Sequence, residues 1–223
     1  MSSCVSADPR SLMVEIARLL YDRYLTNSAG GNVSCRVGDR IYITPRGLGS
    51  RHRWQLREEM VLVFDADLTP LEGDPRMVSR ESLMHFACYR HFPAVNGVIH
   101  AHPRYLSVFA AAGKPVTPTN EYTEKFGEVE VVPSLPSHSQ ALADAVVERL
   151  APRREAMKQH GLGLILAWHG VVTVGRDLAD AYDTLERLEW SAHTLLHQRN
   201  QVFSQKPGFW RADDPYTDAQ PDR

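Results

Sequence analysis

The chain reads as an α/β protein, with a sheet built largely of hairpin-connected strands and covered by amphipathic helices. Three observations carry that reading. Short runs rich in apolar and β-branched residues, such as 95–100 and 171–174, are bounded by glycine, asparagine and aspartate. Elsewhere apolar residues recur at helical spacing, as in Leu12, Ile16, Leu19, Leu20 and Tyr24. Both kinds of segment are spread along 223 residues, enough for a single domain over 1–223 with a sizeable core.

Asp8 and Pro9 read as an N-cap followed by proline at the first helical position, which predicts a helix to about Thr26. The segment 27–32 breaks it and leads into a strand over 33–37. Gly38 and Asp39 turn the chain, and 40–44 returns as the second strand of a hairpin. A further strand covers 60–64. Ser79 reads as the N-cap of a helix carrying Leu83, Phe86, Ala87 and Arg90, so Glu81 falls in its first turn and His85 one turn on, as a packing residue. A buried strand spans 95–100, and Pro103 opens a helix that stops near Gly113. Residues 115–122 read as loop and 129–132 as a short strand. Ser137 and Gln140 form a capping-box pattern ahead of a helix over 141–150, and 152–161 is a polar connector. Strands over 162–167 and 171–174 flank Trp168, His169 and Gly170. Asp177 caps a last helix whose apolar face is Leu178, Ala181, Leu185, Leu188, Ala192 and Leu195. Glu189, His193 and His197 recur on it every four residues, and the histidines read as surface or interface groups. The ends, 1–7 and 204–223, read as flexible tails.

Composition narrows the function classes. Hydrophobic residues at 43% and charged residues at 23% are ordinary for a globular protein. A net charge of -2 gives no hint of a nucleic-acid or membrane partner. Cys4, Cys35 and Cys88 have no metal-like spacing and suggest no disulfide framework. With no run long enough to span a bilayer and no signal-peptide core, a cytoplasmic protein is expected.

The chemistry concentrates in a few residues. His100 and His102 alternate with Ala101, so both imidazoles face one side of the strand. His169 stands at a turn between two apolar runs. Three histidines with open positions for water or substrate make a catalytic zinc arrangement. Glu81 by itself reads as an acid complementing a helix dipole, a role worth ~0.3–1 kcal/mol. Gly30, Gly31 and Asn32 read either as turn punctuation or as a cradle whose backbone N–H groups approach an oxyanion.

Taken together and in order, Gly31-Asn32-Val33-Ser34, Ile43-Thr44-Pro45 with Gly47, Ser79 with Glu81, His100 with His102-Pro103, and His169-Gly170 resemble the class II aldolase/adducin family. Fuculose-phosphate and ribulose-phosphate aldolases are the members meant, and the likeness runs from about Leu12 to about Arg199. It implies a central, mostly antiparallel sheet between helical layers and a homotetramer with interfacial active sites. It also implies a divalent metal, Zn2+ first with Mn2+, Co2+ or Fe2+ as alternatives, on His100, His102 and His169. Glu81 then matches the carboxylate that ligates the resting metal and later acts as general base. Gly31, Asn32, Arg46, Gly47, Ser79 and Arg80 match the substrate's anion pocket. Arg46 and Arg80 depart from the aldolase pattern, and their planar forks suit phosphate or carboxylate alike, unless both face solvent. The second acid/base falls on Glu121, with Tyr122 and Glu124 as neighbouring candidates, or on Tyr216 from an adjacent subunit. The implied activity is metal-dependent cleavage of a ketose 1-phosphate to dihydroxyacetone phosphate and an aldehyde through a zinc-held enediolate. Alternatives are decarboxylation of a 3-keto acid, dehydration of a sugar phosphate, or a metal-free adducin-like binding module. The partner is thus a phosphorylated sugar or keto acid.

Overall fold

Alternation along the strands divides the apolar residues between two cores. In β5 (Gly97–Ala101), Ile99 and Ala101 face one side and Val98 the other; in β8 (Gly170–Gly175), Val171 faces the first side and Val172 and Val174 the second. The computed structural model describes residues 8–198. Its other strands are β1 (Asn32–Val37), β2 (Arg40–Ile43), β3 (Leu62–Asp65), β4 (Pro70–Glu72), β6 (Val131–Val132) and β7 (Leu162–Leu166). All belong to one 8-stranded sheet in the order β4-β3-β2-β1-β5-β8-β7-β6. Neighbours are antiparallel throughout except for the parallel pair β6 and β7.

The first core packs α1 (Pro9–Asp22), α3 (Leu106–Ala112) and α6 (Leu178–Gln198) on one face of the sheet. The second packs α2 (Ser82–His91) and α5 (Gln140–Leu150) on the other. The architecture is therefore a mostly antiparallel sheet between two helical layers. Among the described residues no helix is long and apolar enough to cross a membrane.

Several boundaries differ from the sequence reading, each for a local reason. The first helix stops at Asp22, not near Thr26, because Tyr24 takes φ +58° and the Leu25 N–H turns back to the Leu20 carbonyl. The second begins at Ser82: Ser79 closes a turn by accepting from the Ser82 N–H, and Glu81 is the N-cap, with no side-chain cap bond. Pro103 precedes α3 by a turn. The loop expected over 115–122 ends in a short helix, α4 (Glu121–Glu124), capped by Asn120, which accepts from the Tyr122 and Thr123 N–H groups. Ser139, not Ser137, caps α5, accepting from the Leu142 N–H.

Glu189, met every four residues with His193 and His197, is buried. Its carboxylate accepts from the backbone N–H groups of Tyr105 at 2.7 Å and Leu106 at 2.8 Å, satisfying donors at the start of α3 that lack helical partners. Burial pushes its pKa up, against these bonds. Glu189→Ala should leave both N–H groups unpaired and cost ~1–3 kcal/mol. Thermal denaturation should show Tm falling by several degrees, with metal content unchanged.

Candidate metal centre

Strand direction brings distant segments to one edge of the sheet. Asn32, where β1 begins, pairs with His100, near the end of β5. His100 in turn pairs with Val172 and Ala101 with Val171, near the start of β8. Leu166 pairs with Gly170, so the β7–β8 turn carrying Trp168 and His169 lies at the same edge. Val98 packs in the core below α2, and alternation puts His100 on that same side, toward the N-terminus of α2 and Glu81. A cavity of about 200 Å³ opens there, lined by Gly30, Gly31, Asn32, Arg46, Gly47, Ser79, Arg80, Glu81, His100, His102, Ser137, His138 and His169 among others.

One nitrogen from each of His100, His102 and His169 lies within 4.8 Å of the others. The ring centroids stand 4.9 Å apart for His100 and His102, and 4.6 Å for His100 and His169. Nδ1 of His100 donates to the Val171 carbonyl at 2.8 Å, which orients the ring and leaves Nε2 as the ligand atom. Burial holds the His100 pKa well below the ordinary value, and its two neighbours depress it further. His102 is pushed down to about 4 by burial and by His169. His169 is lowered too, mainly by burial, with Glu81 opposing and His138 adding to the shift. All three are thus neutral at pH 7, the form that binds metal.

The cluster also contains polar atoms that the protein leaves unmatched. Nε2 of His102, Nδ1 of His169, Oε1 of Glu81 and Oδ1 of Asn32 are buried without hydrogen-bond partners. Such groups cost ~1–3 kcal/mol each unless something pairs with them. Neutral imidazoles and a carboxylate converging in this way fit a divalent cation. His85 lies beneath, fully buried, with Nδ1 2.6 Å from the Ser34 hydroxyl, which lies 2.7 Å from the Tyr89 hydroxyl. Burial pushes His85 down to about 3.

Two glycines make room for this arrangement. Gly31 has φ +119°, and a Cβ there would lie 2.8 Å from the Trp54 ring and 3.0 Å from the His100 carbonyl. At Gly170 a Cβ would meet Cδ2 of His102 at 2.5 Å. Glu81 is buried, with Oε1 3.5 Å from Nε2 of His169 and 2.8 Å from Nδ1 of His138. Arg46 and Arg80 flank the opening, both exposed, and among the described residues neither pairs with a carboxylate.

The cavity therefore gathers Gly31, Asn32, Arg46, Gly47, Ser79, Arg80, Glu81 and the three histidines. Glu121 stands apart: it is exposed at the start of α4, in the layer of α6, and does not line this cavity. Tyr122 and Glu124 share that helix, and Tyr216 lies outside the described residues. Sequence reading missed His138 and took Ser137 for a helix cap. The available signal was Pro136-Ser137-His138-Ser139, a polar turn between a strand and a helix. Only the parallel pairing of β6 with β7 carries it to the edge that holds His169.

The chain belongs to the class II aldolase/adducin family: residues 11–196 match the family model described as class II aldolase and adducin N-terminal domain. Within it, the chain is 35% identical over 179 residues to L-fuculose phosphate aldolase of Methanococcus maripaludis, covering 79% of this chain and 89% of that protein. It is 32% identical over 203 residues to 3-oxo-tetronate 4-phosphate decarboxylase of Haemophilus influenzae, covering 86% and 89%. A solved L-fuculose 1-phosphate aldolase shares the fold, with a TM-score of 0.73, 24% identity and 88% of each chain covered.

The depressed histidines set a pH dependence. In the unfolded chain they titrate near 6.5; in the native protein His85 does so at about 3 and His102 at about 4. Above pH 6.5 both states are neutral and nothing is lost. As pH falls toward 4 the unfolded state alone gains protons, so stability should drop by up to ~1.4 kcal/mol per pH unit for each group. Denaturation of metal-stripped protein at a series of pH values checks this. Added Zn2+ at neutral pH should raise Tm, and His100→Ala should abolish that rise.

Proposed function

We propose that this protein is a metal-dependent lyase that cleaves a ketose 1-phosphate to dihydroxyacetone phosphate and an aldehyde. The observation that carries the reading is Glu81, buried beside three neutral histidines in a cavity flanked by two arginines. His100, His102 and His169 would hold the divalent ion, zinc first, which supplies a Lewis acid for the negative charge that collects on the substrate's carbonyl oxygen. As the carbon–carbon bond breaks, its electron pair stays with the carbon next to the carbonyl, and Glu81 delivers a proton there. In the condensation direction Glu81 removes that proton, acting as general base. The proton on the departing aldehyde's oxygen goes to Tyr216 of an adjacent copy or to Glu121, in a homotetramer whose sites lie between subunits. Glu121 lies outside its own chain's cavity and would reach that of an adjacent copy.

The substrate's phosphate is assigned to Gly31, Asn32, Gly47, Ser79, Arg46 and Arg80. Phosphate offers three oxygens to these donors. A decarboxylase acting on a 3-keto acid is the second reading, favoured by the Haemophilus relative and by the two arginines, which suit a carboxylate equally well. There His100, His102 and His169 would hold the same ion, which would supply the same Lewis acidity.

Comparing kcat/KM for a panel of ketose 1-phosphates with that for phosphorylated and unphosphorylated 3-keto acids separates the two. The aldolase reading requires the first group to be turned over better. Glu81→Gln should cut kcat by ~10²–10⁴-fold while leaving the fold intact; turnover near wild type would remove Glu81 from its role. Arg46→Ala should raise KM more than it lowers kcat, as loss of uniform binding does. If neither constant moves, Arg46 faces solvent.

A further inference from the structure

The segment after β6 crosses the mouth of the cavity, and within it His138 takes φ +66°. A side chain is disfavoured in that left-handed region, where glycine is at ease, and such residues persist where other interactions hold them. Capping does not explain His138, because Ser139 caps α5. Its contact with Glu81 does. Nδ1 lies 2.8 Å from Oε1, with the His138 side chain 36% exposed and that of Glu81 only 6%. A ring nitrogen and a carboxylate oxygen at that separation attract only when the nitrogen carries the proton. The same oxygen lies 3.5 Å from Nε2 of His169. Oε1 is thus shared by proximity between His169 of the cluster and His138, with no aligned hydrogen bond to either.

We propose that His138 is a positioning residue for Glu81, holding Oε1 at the cavity mouth and so dividing that carboxylate between the metal and the outer edge of the site. The proposal rests on the reading of Glu81 as a carboxylate that can reach the metal. A carboxylate that leaves an ion inside a buried pocket has lost both its counter-charge and its water, which is costly unless a donor waits for it. His138 puts Nδ1 in reach for that role, 2.8 Å from Oε1, from the β6–α5 connection and on a strained backbone.

The test is Co2+ binding to metal-stripped protein, followed by visible absorption, in wild type, His138→Gly, His138→Asn, Glu81→Gln and the Gly/Gln double variant. Glycine suits the backbone at 138, and asparagine tolerates it while placing an amide nitrogen where Nδ1 stood. Without His138 the carboxylate is free to stay on the metal, so His138→Gly should bind Co2+ about five- to tenfold more tightly with an altered spectrum. His138→Asn should stay near wild type, and in the Glu81→Gln background His138→Gly should change nothing. An unchanged His138→Gly, or a shift that persists without Glu81, overturns the role of His138 alone. Glu81→Gln indistinguishable from wild type in affinity and spectrum overturns the reading of Glu81, and this proposal with it.

Discussion

The register of β1, β5 and β8 is the constraint on which the site depends. Because side chains alternate along a strand, a slip of one residue in β5 would turn His100 into the α1/α3/α6 core and put Ile99 in its place. The pairing of His100 with Asn32 on one side and Val172 on the other fixes its height at the sheet edge. The bond from its Nδ1 to the Val171 carbonyl then fixes its rotation. That carbonyl belongs to the strand that starts just after His169, so one local contact ties two ligands to a common frame. Gly170 completes it by leaving room for the ring of His102.

Electrostatics follow from the same burial. Three imidazoles brought together out of water cannot all be protonated, since desolvation and mutual repulsion both disfavour the cation. They are held neutral, with one nitrogen of each within 4.8 Å of the others and with ring nitrogens left unpaired. In an ordinary core such atoms would be a defect. Here they form a donor set that fits a divalent cation, and the nearby carboxylate of Glu81 supplies negative charge without acting as a helix cap.

The mouth of the cavity is built from backbone that is unusual in several places. Gly31 and Gly47 have positive φ on one side, His138 on another, and Trp168 next to His169 on a third. Each lies in a turn or connection between regular elements, where the chain changes direction beside the opening. The regular elements beneath are what hold these turns, through fully buried residues such as Ile99, Val172 and Leu166.

The sequence by itself determined strands covered by amphipathic helices and the pairing of His100 with His102, because both depend on short-range regularities. The mostly antiparallel order and the two helical layers were implied by the family resemblance. Period-two and helical patterns decide which face of an element is apolar, and His100 and His102 share a face by alternation alone. Helix starts were less visible: Ser79 and Ser137 both have cap chemistry, yet the true caps are Glu81 and Ser139, because neighbouring turns decide where helical dihedrals begin. Tertiary structure alone decided what meets across the fold. Glu189 finds its partners at Tyr105 and Leu106, and Glu121 is carried into the layer away from the cavity. His138 reaches Glu81 only because β6 lies parallel to β7, a crossover pairing that no local pattern encodes. Residues adjacent in sequence constrain each other through geometry that can be counted; residues joined by a crossover meet only after the whole sheet has chosen its order.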